Sequence, residues 1–249
     1  MKREPATIVR EYGPFPNVTD VSGVSYDGAN IWIATGNTLN AIDPESGKTV
    51  RVLDVPAHAG TAFDGQHLFQ ISEDRIQKVD PKSGRVVASI PAPEGGASGM
   101  AWADGTLWVG QHRNRKIHQV DPQTGAILRT IDSNRFVTGV TWAGDELWHG
   151  TWEADESELR RIDPQSGEVL QQIDMPPGHR RVGARVQWRR HVLLRRRQQR
   201  KAQSCPPAQV EELSTIVAPG NVNKGSYGSK AAVGAKTRPV RLPSISGSY

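Results

Sequence analysis

The sequence predicts an all-β protein, a β-propeller of about five four-stranded blades, four complete and the fifth incomplete, followed by a disordered basic tail. Three observations carry this. The phrase Asp-Pro-x-Ser/Thr-Gly occurs four times, at Asp43–Gly47, Asp80–Gly84, Asp121–Gly125 and Asp163–Gly167, spaced 37, 41 and 42 residues apart. Proline presets φ at a turn corner and glycine takes the left-handed position that closes it. Alternating segments flank the phrase, such as Lys116-Ile117-His118-Gln119-Val120 before and Ile127-Leu128-Arg129-Thr130-Ile131 after. Such flanks read as hairpin strands, and a hairpin repeat of about 40 residues is the signature of propeller blades.

Taken in order, residues 1–16 hold one strand candidate, Ala6-Thr7-Ile8-Val9-Arg10-Glu11-Tyr12, ahead of Gly13-Pro14. It resembles the segments leaving each Asp-Pro turn, Thr49–Leu53, Val86–Ile90 and Val169–Ile173. It therefore reads as the outermost strand, d, of a blade whose other strands lie elsewhere in the chain.

Four full repeats follow with one internal order. Strand a opens on small residues and ends on an aromatic: Ser22–Tyr26, Thr61–Phe63, Ser98–Trp102 and Thr138–Trp142. A tight turn comes next, Asp27-Gly28, Asp64-Gly65, Asp104-Gly105 and, inverted, Gly144-Asp145. Strand b is Ile31–Ile33, Leu68–Ile71, Leu107–Val109 and Leu147–His149. Strand c runs into Asp-Pro and strand d leaves it. Four antiparallel strands make one blade. The recurring aromatics at Tyr26, Phe63, Trp102 and Trp142, and at Trp32, Phe69, Trp108 and Trp148, read as filling between blades.

The pattern stops after Gly178, which divides the chain into a propeller, residues 1–178, and an arginine-rich region, residues 179–249. Residues 1–178 hold 16 Lys and Arg against 24 Asp and Glu, a net −8, and residues 179–249 hold 15 against 2, a net +13. Composition alone makes the second region disordered. A slip of reading frame near Gly178 is the sharper explanation. Back-translated and read one nucleotide later, residues 178–209 permit GVSGLES, a glycine-rich turn and TFFCGGG. Those segments match the strands that the N-terminal candidate lacks. Sequencing the gene across codons 175–185 tests this.

With one cysteine, Cys205, no intrachain disulfide forms, and no Cys/His zinc spacing occurs. No apolar run has signal-peptide or membrane-span length, so a cytoplasmic monomer without membrane contact is expected.

The stretch Gly99–Val109, running on to Val120-Asp121-Pro122-Gln123-Thr124-Gly125, resembles the repeat of YVTN/NHL-like propellers, of the glutamine cyclotransferase and virginiamycin B lyase type. The resemblance spans residues 6–178. It implies five blades from the cyclotransferases, and from the lyase a His/Glu/His set beside a divalent metal. The cyclotransferase phrases Glu-Gly-Trp-Gly and Asn-Glu-Leu-Glu are absent, as are the WD40 and double-glycine kelch signatures.

Propeller geometry puts the Asp-Gly and Asp-Pro turns on one face, where their aspartates act as turn formers. The irregular d–a and b–c connections share the other face, where function concentrates. Candidate catalytic residues there are His112, His149 and Glu153, with His58, Glu73, Arg113, Arg135 and Trp152 as ligand contacts. Imidazole and carboxylate together serve as acid and base in an elimination, or hold a divalent metal as cofactor. Read individually, each is equally a solvated loop residue, and His149 a strand residue turned into a blade interface. The acidic run Glu153–Glu158 reads as solvated surface.

These features define a propeller that binds or processes a small molecule at the channel mouth, as a metal-assisted lyase or a cyclotransferase. The alternative is a non-catalytic propeller that binds a ligand or a protein. A third reading, with the basic tail on nucleic acid, is disfavoured because only Trp188 stands among its arginines.

Overall fold

The computed structural model describes residues 2–7, 10–154 and 156–176, with four short strand segments beyond them. Among the described residues there are strands and turns but no helix. Lys2–Pro5 forms β1. The first blade is β2 (Gly23–Tyr26), β3 (Ile31–Ala34), β4 (Leu39–Ile42) and β5 (Thr49–Leu53). The second is β6 (Thr61–Phe63), β7 (Leu68–Ser72), β8 (Arg75–Val79) and β9 (Val86–Pro91). The third is β10 (Ala97–Ala103), β11 (Thr106–Gln111), β12 (Lys116–Val120) and β13 (Ile127–Asp132). The fourth is β14 (Phe136–Ala143), β15 (Glu146–Glu153), β16 (Glu156–Ile162) and β17 (Val169–Asp174). Within each blade the four strands follow chain order, and neighbours are antiparallel. The result is a propeller arrangement of four blades.

The turns explain the repeated phrase. In each Asp-Pro turn the glycine N–H donates to the aspartate carbonyl, at 2.8 to 2.9 Å. The aspartate carboxylate accepts from backbone N–H groups inside the turn, such as Ser46 N at 2.6 Å from Asp43 and Thr124 N at 2.9 Å from Asp121. The Ser46 and Ser83 hydroxyls, at Asp43 and Asp80, and the backbone N–H groups, at Asp121 and Asp163, hold all four carboxyls below the usual carboxylate range. A register shift precedes the turn at the same place in every blade, between the last two paired residues of strand c. The inverted Gly144-Asp145 turn works because both its residues, like Asp104 and Gly105, have positive φ. Glycine and aspartate both tolerate that region, as the two-residue hairpin requires.

Blades pack face to face through apolar clusters. Leu39 and Trp32 of the first blade meet Leu68 and Val79 of the second. Phe69 and Ile71 of the second meet Leu107 and Val109 of the third. Trp108 and Ile117 of the third meet Val140, Leu147 and Ile162 of the fourth. The strand b aromatic of one blade stacks on the strand a aromatic of the next: Phe69 on Trp102 at 5.3 Å, Trp108 on Trp142 at 6.1 Å. Trp32, Phe63, Phe69, Trp102, Trp108 and Trp142 are thus inter-blade packing, as their spacing suggested.

The small residues opening strand a have a steric cause. A Cβ on Gly60 would sit 2.5 Å from Met100 N, and one on Gly99 2.5 Å from Gly139 Cα. Adjoining inner strands therefore touch backbone to backbone. We expect Gly99→Ala to cost toward the upper end of about 1–3 kcal/mol, because backbone yields less readily than a side chain. Urea unfolding measures it, with Gly105→Ala, which meets nothing within 4 Å but has φ of +75°, as the comparison for strain without a clash.

The N-terminus adds a strand that the sequence reading did not single out. The extended segment is Lys2–Pro5, paired in parallel on the outer edge of β17, with Arg3 Nε donating to Asp174 at 2.8 Å. Within Ala6–Tyr12, Glu11 makes an isolated bridge and Tyr12 is buried against Val21, Ile31, Ile33 and Ile42 of the first blade. Its hydroxyl donates to Pro44 O at 2.8 Å. Ring burial and this bond hold the segment against the first blade and its Asp-Pro turn. Residues 8 and 9 lie outside the described residues.

The expectations of a disordered tail and a frameshifted product also lie outside them, save for β18 (Val182–Gly183), β19 (Val186–Trp188), β20 (Leu213–Thr215) and β21 (Lys230–Ala231). β18 pairs in parallel with β21, and β19 is antiparallel to β20. No helix among the described residues is long and apolar enough to cross a membrane.

Candidate functional site

Blades three and four meet, at the end carrying the d–a and b–c connections, in a cluster of charges and rings. Its foundation is buried in blade three. Gln111, 1% exposed, donates to Glu94 O at 2.6 Å and accepts from Asn114 Nδ2 at 3.1 Å. The other side of the same amide oxygen meets His118 Nε2 at 3.1 Å, and His118 Nδ1 meets Thr130 Oγ1 at 2.8 Å. Burial, helped by the charge of Lys116, lowers the His118 pKa below the ordinary histidine value. This network ties both ends of the 112–115 turn to the sheet.

Arg115 closes that turn with φ of 54° and reaches into blade four. Its guanidinium donates to Glu153 Oε1 at 2.8 Å and to Asn134 O at 2.9 Å, and lies 4.4 Å from the Phe136 ring centroid. His112 stacks on Phe136, with centroids 4.8 Å apart. Arg135, from the d–a connection, donates to Glu158 Oε1 at 2.6 Å and to Glu153 O at 3.0 Å. Glu158 also accepts from Arg160 Nε at 2.9 Å, and Arg160 donates to Asn134 Oδ1 at 2.6 Å. Glu158 is 3% exposed, so the acidic run expected to be solvated surface instead carries a buried carboxylate between two guanidiniums. The alternation of β16 explains it: Glu158, Arg160 and Ile162 share one face, and Ile162 packs toward blade three.

His149 lies on the matching face of β15, opposite Val140 and Arg160. It is 2% exposed, and its Nδ1 has no hydrogen-bond partner. Burial, reinforced by the Arg160 charge, lowers its pKa to about 3. The imidazole is therefore neutral and closed off from solvent, in the blade interface.

Of the sequence candidates, the structure joins Glu153 and Arg135 directly and brings His112 in through Phe136. Arg113 is exposed on the His112 turn, and half-buried Trp152 ends the face of β15 opposite Phe136. His58 and Glu73 belong to blade two. His58 is exposed, with Nδ1 3.3 Å from Ser72 Oγ, and Glu73 is exposed on a turn with φ of 55°. Among the described residues no three His, Cys, Asp or Glu side chains stand close enough to hold a metal ion. Sequence reasoning missed Arg160, Phe136 and His118. The alternation of β12 and β16 would have flagged His118 and Arg160 as inward-facing polar residues.

The fold defines the class: an all-β propeller whose most built polar cluster sits between its third and fourth blades. No family model matches the chain, and no curated protein matches its sequence. Among solved structures it is similar to the Myxococcus xanthus glutaminyl cyclase, at 18% identity and a TM-score of 0.61, over 93% of this chain and 96% of that one. It is also similar to a protein of unknown function from Bacteroides caccae, at 12% identity and a TM-score of 0.50, over 72% and 70%. At these identities the likeness is one of fold.

Proposed function

We propose that this propeller binds a small molecule at the rim of blades three and four. What supports the reading is one half-exposed cluster, His112, Phe136, Arg115 and Glu153, held on two rigid sheets by Gln111 beneath and Glu158 behind. Stacked rings offer a flat apolar wall, guanidiniums take carbonyl or carboxylate oxygens, and Glu153 accepts a proton or an amine hydrogen bond. The residues that keep the geometry are buried, and those that would meet a ligand are not.

Cyclisation of an N-terminal glutaminyl residue, the activity named for the Myxococcus xanthus protein, is the first reaction to assay. In that chemistry Glu153 is the candidate acid–base group. A metal-assisted lyase needs a donor set that the described residues do not assemble, so binding, with or without cyclisation, ranks ahead of it.

The test is calorimetric titration with peptides carrying N-terminal glutamine, alongside an ammonia-release assay. Saturable binding that weakens at least about tenfold in Arg115→Ala, without loss of fold, supports the site. Turnover lost in Glu153→Gln supports the enzyme version, and binding without turnover the non-catalytic one. Binding unaffected by both substitutions removes this site.

A further inference from the structure

The first blade's Asp-Pro turn is held by contacts that belong, elsewhere in the molecule, to a preceding blade. Arg51 of β5 donates to Lys82 O at 2.7 Å, in the turn of the second blade. Leu53, two residues on, lies where a Cβ on Gly84 would meet it at 3.4 Å. Arg129 of β13 donates to Gln165 O at 3.0 Å, in the turn of the fourth blade, and Ile131, two residues on, packs over Gly167. No blade precedes the first, yet its turn is served the same way. Arg10 donates to Glu45 O, and Tyr12, two residues on, packs over Gly47. The N-terminal segment thus occupies the outer-strand position of an additional sector.

The other wall of that sector is blade four. Trp148, Leu159 and Ile173 alternate with residues facing blade three, so they point the opposite way. They are nonetheless buried, at 1%, 1% and 6% exposure. The strands running beside blade four there are β18, along β14, β15 and β16, and β19, along β14. On the other side β21 runs beside β2. Inner strands β2, β6, β10 and β14 adjoin in sequence, and β18, β19 and β21 come next to the two ends of that series.

We infer that both ends of the chain build one closing sector of the ring, β18 to β21 at its inside and Arg10–Tyr12 at its outer rim. β1, anchored on β17, carries the chain across from blade four to blade one. The short strands β18, β19 and β21 of the arginine-rich region are on this account part of the propeller's closure. Joining the two walls covers Trp148, Leu159 and Ile173 on one side and the face holding Ile31 and Ile33 on the other, which is apolar surface a solvated tail would leave in water.

Hydrogen exchange on the full-length chain tests this. Amides of 182–188 and 213–215 are expected to exchange at least about tenfold slower than an unstructured peptide of the same sequence. In Leu159→Ala, which trims the wall beside β18, exchange at 182–188 should quicken while β7 in blade two keeps its rate. Unstructured rates at 182–188 in the parent chain would overturn the inference. So would a Leu159→Ala protein in which blade four loosens and 182–188 does not change.

Discussion

Glu158→Ala is expected to destabilise the protein by about 3–5 kcal/mol, the range for removing one partner of a buried charge pair. The substitution leaves two guanidiniums, Arg135 and Arg160, without the carboxylate that each of them contacts on a separate oxygen. Their side chains are 16% and 9% exposed, so water cannot take over. The neighbouring pair, Arg115 with Glu153, is about a third exposed on both sides. Breaking that one by Arg115→Ala should cost under about 1 kcal/mol and should matter less in high salt. Urea denaturation of both variants at low and high salt makes the comparison. A Glu158→Ala cost below about 1 kcal/mol would mean the buried carboxylate is not needed where it stands.

His149→Val should make the protein markedly more resistant to acid. The folded-state pKa is about 3, below the ordinary value of 6.5, because burial and Arg160 oppose protonation. A histidine with a depressed pKa binds its proton more readily in the unfolded chain. Above pH 6.5 neither state is protonated and the group has no pH effect. As pH falls from 6.5 toward 3 the unfolded state gains a proton that the folded state refuses, so stability falls by up to about 1.4 kcal/mol per pH unit. Valine, the residue found at the corresponding strand position Val109, removes the titration and suits the packing. Between pH 7 and pH 4 the parent should lose about 3 kcal/mol more than the variant. Parallel stability curves would show that His149 is protonated without strain, and that the blade interface is wetter than its burial implies.

Most of the architecture was legible because it is local. An Asp-Pro turn closes on bonds spanning four residues, Gly47 N to Asp43 O among them, so its phrase is written in one place and repeated. The strand b aromatics recur because each blade meets the same neighbour, and Phe69 on Trp102 repeats as Trp108 on Trp142. The site was legible only in part. Glu153, Arg135 and His112 were assigned to one face because connections there are irregular, and the structure brings them into one cluster. Their grouping with Phe136 and Asn134, and the buried role of Glu158, were not, because those contacts join residues 19 to 38 apart through two separate sheets.

His149 illustrates the limit. Its position at the end of a strand b motif suited both a catalytic histidine and a packed one, and nothing within a few residues separates the two. Blade packing decides, by covering the ring, together with the adjoining strand β16, which sets Arg160 beside it. The N-terminus repeats the lesson: the alternation of Ala6–Tyr12 marks apolar positions, and it is the first blade that covers Tyr12, while Lys2–Pro5 pairs with β17. Alternation states that one face of a segment is apolar but not which surface will cover it.

By itself, then, the chain's sequence determined the blade, its turns, its four strands and its repetition, since these follow from backbone geometry and side-chain period over short spans. Only the tertiary structure decided which polar residues are sealed between blades, which stay exposed at the rim, and where the N-terminal segment packs. Those outcomes depend on surfaces brought together from distant segments, and desolvation at such a surface belongs to both partners at once.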